Sequence, residues 1–192
     1  MEIERIILPQ FGKDDEIMHG NLDKTVHDVV QYLMENRLTV ATGESLTGGL
    51  LSERITSVPG ASQVFELGIC TYSDRMKQHL LHVPSEILKE YGAVSRQTAL
   101  AMAEGLMHRS GADLCLTVTG LAGPGGGTSE QPVGTVYAGF AYQNQVTAAL
   151  LRLSELEGLD RGGIRHMKLD WENEVEVIKQ GAAVLGLNVC GL

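Results

Sequence analysis

The chain has 192 residues, 43% of them hydrophobic, and a formal net charge of −9. That length suits one domain with a sizeable core. The acidic balance excludes the basic footprint of a nucleic-acid-binding surface, so no nucleic-acid partner is expected.

Residues 1–20, "MEIERIILPQFGKDDEIMHG", read as an N-terminal extension ahead of a single domain spanning 21–192. Charges run through the extension without a long apolar core, so neither a secretion signal nor a membrane partner is expected. In "NLDKTVHDVVQYLMENR", Val26, Val29, Val30, Leu33 and Met34 recur at helical spacing and predict an amphipathic helix. Leu38 to Thr42 predicts a short strand. "GESLTGGLLSERI" follows, and its Leu50, Leu51 and Ile55 continue a helical face until "SVPG" at 57–60 stops it. Residues 65–72, "FELGICTY", predict a strand. A short helix from Asp74 to Leu81 is expected next, with Asp74 able to cap it. "SEILKEYG" predicts another, with Ser85 as cap and Gly92 as stop. A longer helix runs from Ser95 to Ser110 and is closed by Gly111. Residues 112–119 form an apolar strand that feeds a glycine-rich loop from Gly120 to Pro132. "VGTVYAGFAY" and "QVTAALLRL" predict paired strands with Gln143 and Asn144 at the turn. A last helix is expected after Asp160, reaching about Val184. Alternation of strands and helices followed by a hairpin predicts an α/β fold: a three-layer α/β/α sandwich with a mixed, mostly parallel sheet.

Of the three cysteines, Cys70, Cys115 and Cys190, two lie in apolar runs and read as small core residues. Their odd number and spacing suit a reducing compartment, hence the cytoplasm. The histidines, at 19, 27, 79, 82, 108 and 166, lack metal-ligand pairing, so no metal is expected.

Three segments are able to carry chemistry. Ser45 stands where a strand gives way to a helix, at the carboxyl end where open α/β sheets bind ligands. It is either an N-cap or an exposed nucleophile, with the amides of Thr47, Gly48 and Gly49 nearby to hold developing negative charge. In "TYSDRMKQHLL", Tyr72 ends a strand and Lys77 enters the next helix. A lysine in a first helical turn opposes the helix dipole, which favours its neutral form. It is either a solvated surface residue or the base of a Ser-Lys pair. "TGLAGPGGGTSEQPVGT", from Thr119, matches neither a P-loop nor a dinucleotide fingerprint. Its glycines either let backbone amides approach a phosphate or form a long turn.

Taken together, "GESLTGGLLSERITSVPGAS", "YSDRMKQHLLHVP", "GAVSRQTALAMAEG", "GADLCLTVTGLAGPGGGTSEQPVGTVYAG" and "DRGGIR" resemble the CinA C-terminal domain family over about residues 22–185. The resemblance implies nicotinamide-nucleotide amidohydrolase activity: nicotinamide mononucleotide and water give nicotinate mononucleotide and ammonia. It also implies a three-layer α/β/α fold, no cofactor, a small-molecule nucleotide as partner, and self-association into a homo-oligomer. Ser45 falls on the family's nucleophile, Lys77 on its base, and Tyr72 on the supporting tyrosine. Arg161 falls on a substrate-holding arginine. Thr47, Gly48 and Gly49, with Thr119, Gly120, Gly123, Gly125 and Gly126, fall on substrate-binding segments. Two positions depart from the pattern: Gly43 replaces the usual alanine, and Asp74 replaces a frequent asparagine. A negative charge three residues from Lys77 raises a lysine's pKa. Two alternatives stand beside the amidohydrolase: a catalytically silent nucleotide-binding or regulatory module, and a Ser-Lys amidase acting on another small carboxamide.

Overall fold

The computed structural model describes residues 22–123, 125–143 and 145–152. The 1–20 extension, Arg161, Cys190 and the helix expected after Asp160 lie outside them.

The described elements alternate along the chain. Helix α1 (Leu22–Asn36) leads to strand β1 (Val40–Glu44), helix α2 (Leu50–Thr56) and strand β2 (Phe65–Cys70). Helices α3 (Asp74–Leu81), α4 (Ser85–Tyr91) and α5 (Arg96–Ser110) follow. Strands β3 (Leu114–Gly120), β4 (Thr135–Tyr142) and β5 (Gln145–Arg152) complete the sheet, in the order β2-β1-β3-β4-β5. Strand β1 is parallel to both neighbours, with Glu44 opposite Cys70 on one side and Val118 on the other. Strand β4 is antiparallel to β3 and β5, so it alone runs against the other four. This is the expected mixed, mostly parallel sheet.

The period of two along each strand sorts the core into two layers. On β3, Leu114, Leu116 and Val118 pack with Val26, Val30 and Leu33 of α1 and Leu51 and Ile55 of α2. Cys115 packs on the opposite face, with Leu81, Leu88, Met102 and Leu106 from α3, α4 and α5. Because helices cover both faces, all five residues of β1 are buried, Thr42 and Glu44 included.

Helix α5 approaches its neighbours closely enough to require glycine twice. A Cβ at Gly105 would overlap the carbonyl oxygen of Leu81, the last residue of α3. A Cβ at Gly139 on β4 would overlap the carbonyl oxygen of Ala99. These two contacts seat α5 on the sheet and press the end of α3 against it.

Several local expectations need correction. Strand β1 lies at 40–44, not 38–42, because pairing with both neighbours carries it on to Glu44. Helix α3 is capped by Ser73, whose Oγ accepts from the Met76 N–H at 3.3 Å, with Asp74 in the first turn. Pro84 is the N-cap residue of α4, and Ser85 already lies inside that helix. Cys70 is exposed, since β2 is an edge strand whose residues alternate between half-buried and exposed. Cys115 is buried as expected, and burial pushes its thiol pKa up to about 11.

Gly105→Ala must separate α5 from α3 to fit one methyl group. It is expected to lower unfolding free energy by about 1–3 kcal/mol, measured by denaturant titration.

Candidate active site

Glu44 and Ser45 leave the end of β1 with their side chains on opposite faces, Glu44 toward α2 and Ser45 toward α3. The Ser45 N–H donates to the Val118 carbonyl at 3.1 Å, which carries the β1–β3 ladder one residue further. On the other side, the Thr71 N–H donates to the Glu44 carbonyl at 2.7 Å. Ser73 then starts α3, and its first turn brings Lys77 back toward the strand ends. Lys77 Nζ lies 3.1 Å from Ser45 Oγ and donates to the Thr71 carbonyl at 3.0 Å. Two residues 32 positions apart thus share a hydrogen bond in the interior.

Lys77 is only 1% exposed. Burial lowers its pKa below the ordinary 10.5, and the opposing field of Asp74 is the weaker influence. Asp74 is exposed, and solvent screens its charge. The amine is therefore shifted toward its neutral form, despite the departure at position 74. In that form it has two N–H groups and a lone pair. Thr71 takes one N–H, and the lone pair is available to a proton from Ser45.

The turn that follows Ser45 is organised by the Glu44 carboxylate, which is fully buried. Its Oε2 accepts from Thr47 Oγ1 at 2.7 Å and from the N–H groups of Gly49 and Leu51, both at 3.0 Å. Its Oε1 accepts from the Ser52 N–H at 2.9 Å and from Ser52 Oγ at 2.6 Å. Because the single hydroxyl proton of Ser52 goes to Glu44, Thr42 Oγ1 must donate to Ser52 Oγ across their 2.7 Å contact. Gly48 and Gly49, at φ 68° and 113°, supply the left-handed backbone this turn needs.

This geometry does not fit the cap reading of Ser45. Helix α2 starts at Leu50, its N-cap residue is Gly49, and no side chain of the cap residue bonds to it. Glu44 satisfies the N–H groups at that helix start from the end of the preceding strand, so Ser45 is not the cap. The amides near Ser45 are also redistributed. The Gly48 N–H donates to the Ser45 carbonyl at 3.3 Å, and that of Gly49 is held by Glu44. Among the described residues, no acceptor is recorded for the N–H groups of Leu46 and Thr47.

A family model for the CinA C-terminal domain matches residues 22–170. The chain belongs to that family. A CinA-like protein of Akkermansia muciniphila is 51% identical over 139 residues, which cover 72% of this chain and 33% of that protein. A putative competence-damage inducible protein of Caldicellulosiruptor bescii is 49% identical over 126 residues, covering 66% and 31%. The chain thus spans about a third of the length of the curated relatives it matches. Among solved structures, the competence/damage inducible protein CihA of Agrobacterium tumefaciens superposes with a TM-score of 0.74 at 35% identity, covering 88% of this chain and 96% of that one. A CinA superfamily protein of Escherichia coli gives a TM-score of 0.74 at 26% identity, covering 96% and 98%.

Within this CinA fold, the glycine-rich loop leaves the carboxyl end of β3, beside the carboxyl end of β1 that carries Ser45. Thr119 is buried, and its Oγ1 donates to the Ala93 carbonyl at 2.7 Å. Gln131 ties the far end of the loop to the Val94 carbonyl at 2.9 Å. Gly120 allows the Thr135 carbonyl to approach, and Gly123 and Gly126 have φ of 77° and 88°. Gly125 is exposed. Thr47 is spent on Glu44 through its hydroxyl. Tyr72 is 75% exposed, and none of the described hydrogen bonds joins it to Lys77 or Ser45.

Two residues of this CinA site escaped the sequence reading. Glu44 was legible in retrospect as an acid ending an apolar strand just ahead of a Gly-Gly turn. Thr71 acts through its main chain, which its residue type does not reveal. Glu44→Gln presents an NH₂ group to at least two donors whichever way the amide lies. The substitution is expected to cost about 3 kcal/mol of stability, measured by chemical denaturation.

Proposed function

We propose that this CinA-family domain hydrolyses the carboxamide of nicotinamide mononucleotide to nicotinate mononucleotide and ammonia through an acyl-enzyme. The observation that carries the reading is the hydrogen bond of 3.1 Å between Ser45 Oγ and the buried amine of Lys77. A weak nucleophile beside a base whose pKa is lowered by burial is the arrangement that nucleophilic catalysis requires. The pyridine nucleotide as substrate rests on the family resemblance.

In the first half-reaction Ser45 Oγ attacks the carboxamide carbon while its proton passes to the lone pair of Lys77. The carbonyl electron pair moves to oxygen. The unengaged N–H groups of Leu46 and Thr47 are the candidate donors for that oxyanion, and one such donor contributes roughly 3–4 kcal/mol in measured cases. Collapse breaks the C–N bond, Lys77 returns its proton to the departing nitrogen, and ammonia leaves. In the second half-reaction water attacks the acyl carbon and gives a proton to Lys77. That proton goes back to Ser45 Oγ as the ester bond breaks. The amides of the glycine-rich loop and the side chain of Arg161 are assigned to the nucleotide, and Tyr72 to support of the proton transfers.

Purified protein is expected to release ammonia from nicotinamide mononucleotide, and Ser45→Ala to lower the rate by at least about a thousandfold. Unchanged turnover in Ser45→Ala would sink the assignment. Lys77 acts as base only when neutral, so the rate is expected to rise with pH through the Lys77 titration. Burial places that rise below the ordinary lysine value of 10.5. Lys77→Arg, which stays protonated, is expected to remove the rise together with the activity. Ammonia release followed across pH checks both.

A further inference from the structure

Thr71 has a side chain that the reaction as written leaves unused. The residue is fully buried, and its Oγ1 has no hydrogen-bond partner among the described residues. Leaving a buried hydroxyl unpaired is costly, and such groups call for an explanation. Its placement supplies one. Along β2, a Cβ at Gly68 would meet Ser52 of α2, while Leu67 and Ile69 pack into the layer of α3 and α5. Thr71 continues the row of Leu67 and Ile69 beyond the end of β2. Its hydroxyl therefore lies on the same face of the sheet as Ser45 and Lys77, and its own carbonyl already binds Lys77 Nζ at 3.0 Å.

The cost of a left-over donor changes when the lysine takes up a proton. Neutral Lys77 gives one N–H to the Thr71 carbonyl and its lone pair to Ser45, and the N–H left over belongs to an uncharged amine, which loses little by lacking a partner. Protonated Lys77 has three N–H groups and no lone pair. With the same two partners, one N–H of a buried ammonium is left over, beside a residue with an unused oxygen acceptor. A turn of Thr71 about χ1, between staggered wells, re-aims that oxygen.

We propose that Thr71 is a positioning residue acting through Lys77: its hydroxyl accepts the third N–H of the lysine once Lys77 holds the Ser45 proton. The role rests on the Ser-Lys reading above. Thr71 then binds one side chain at two points, the carbonyl in both protonation states and the hydroxyl in the charged one. Among the described residues, no other side chain facing Lys77 duplicates this. On α3 the charged or titratable neighbours are Asp74, Arg75 and His79, all exposed, and exposed Tyr72 precedes the helix. From β1, the Glu44 carboxylate is turned to α2 and fully engaged. From β2, Cys70 lies on the α2 face, against Gly49. From α5, Met102, Gly105 and Leu106 are uncharged.

The test compares Thr71→Val, which keeps the branched shape without the hydroxyl, with Thr71→Ser, which keeps the hydroxyl. Lys77 titration is read by NMR of the labelled side-chain Cε in the substrate-free protein, and ammonia release gives kcat and KM. Thr71→Val is expected to move the Lys77 titration to lower pH and to lower kcat about ten- to a hundredfold, the effect of one hydrogen bond to a charged group, with KM little changed. Thr71→Ser is expected to restore both. Thermal unfolding of Thr71→Val is expected to match or exceed that of the unaltered protein, since no protein partner loses a bond. An unmoved Lys77 titration in Thr71→Val, or a Thr71→Ser as impaired as the valine variant, would overturn the role. Absence of ammonia release by the unaltered protein overturns the amidohydrolase reading instead. The NMR titration separates the two, because it needs no substrate.

Discussion

A carboxylate can be buried without a counter-charge only if hydrogen-bond donors take up its oxygens. Glu44 meets that condition with five donors, drawn from the chain segment that follows it. The constraint works in both directions. The segment from Thr47 to Ser52 can close only in the shape that presents those five groups, and the shape fixes what remains. Among the described residues the Leu46 and Thr47 amides are left unclaimed, and Ser45 is left facing the other way. The Glu44 carbonyl holds Thr71, and Thr71 holds Lys77. One residue at the end of β1, Glu44, therefore fixes both the turn beside the serine and the anchor of its partner.

The lysine depends on a second constraint, which is packing. Its helix is short, and a helix of that length has little stability of its own. Its position comes from the Ser73 cap at one end and from Gly105 of α5 against the Leu81 carbonyl at the other. Between them the side chain passes through the interior to reach Ser45. Burial then does to the amine what an adjacent positive charge does in other sites: it makes the protonated state costly. Asp74 opposes this from the surface and does not prevail.

Much of this was legible in the sequence because it follows from local periodicity. The strand-helix alternation and the hairpin at Gln143 gave the layers, and the bounds of α3 came out as expected from Asp74 to Leu81. Ser45 and Lys77 were legible as candidates because each sits where a strand meets a helix. The limits were of two physical kinds. The first was a capping role taken by a residue from the preceding strand. Capping patterns look for the donor's partner at the helix start, so Ser45, Asp74 and Ser85 attracted roles that Glu44, Ser73 and Pro84 hold. The second was a contact made by main chain. Thr71 serves Lys77 through a carbonyl, and every residue has one. Cys70 failed for a related reason: an apolar run does not say which strand will lie at the sheet edge.

The burial of Lys77 has a consequence for how the domain loses function. The pKa of the amine is lowered by burial, and on its side of the sheet the buried layer includes Leu81, Met102 and Leu106 of α3 and α5. Those side chains are ordinary core residues that touch no reacting atom. A loosening among them that lets water reach the amine would raise its pKa back toward the ordinary lysine value while the sheet still stands. Under the proposed Ser-Lys chemistry, the reactivity of the serine is a gauge of how dry one side of the core is kept, and it would fade before the fold does.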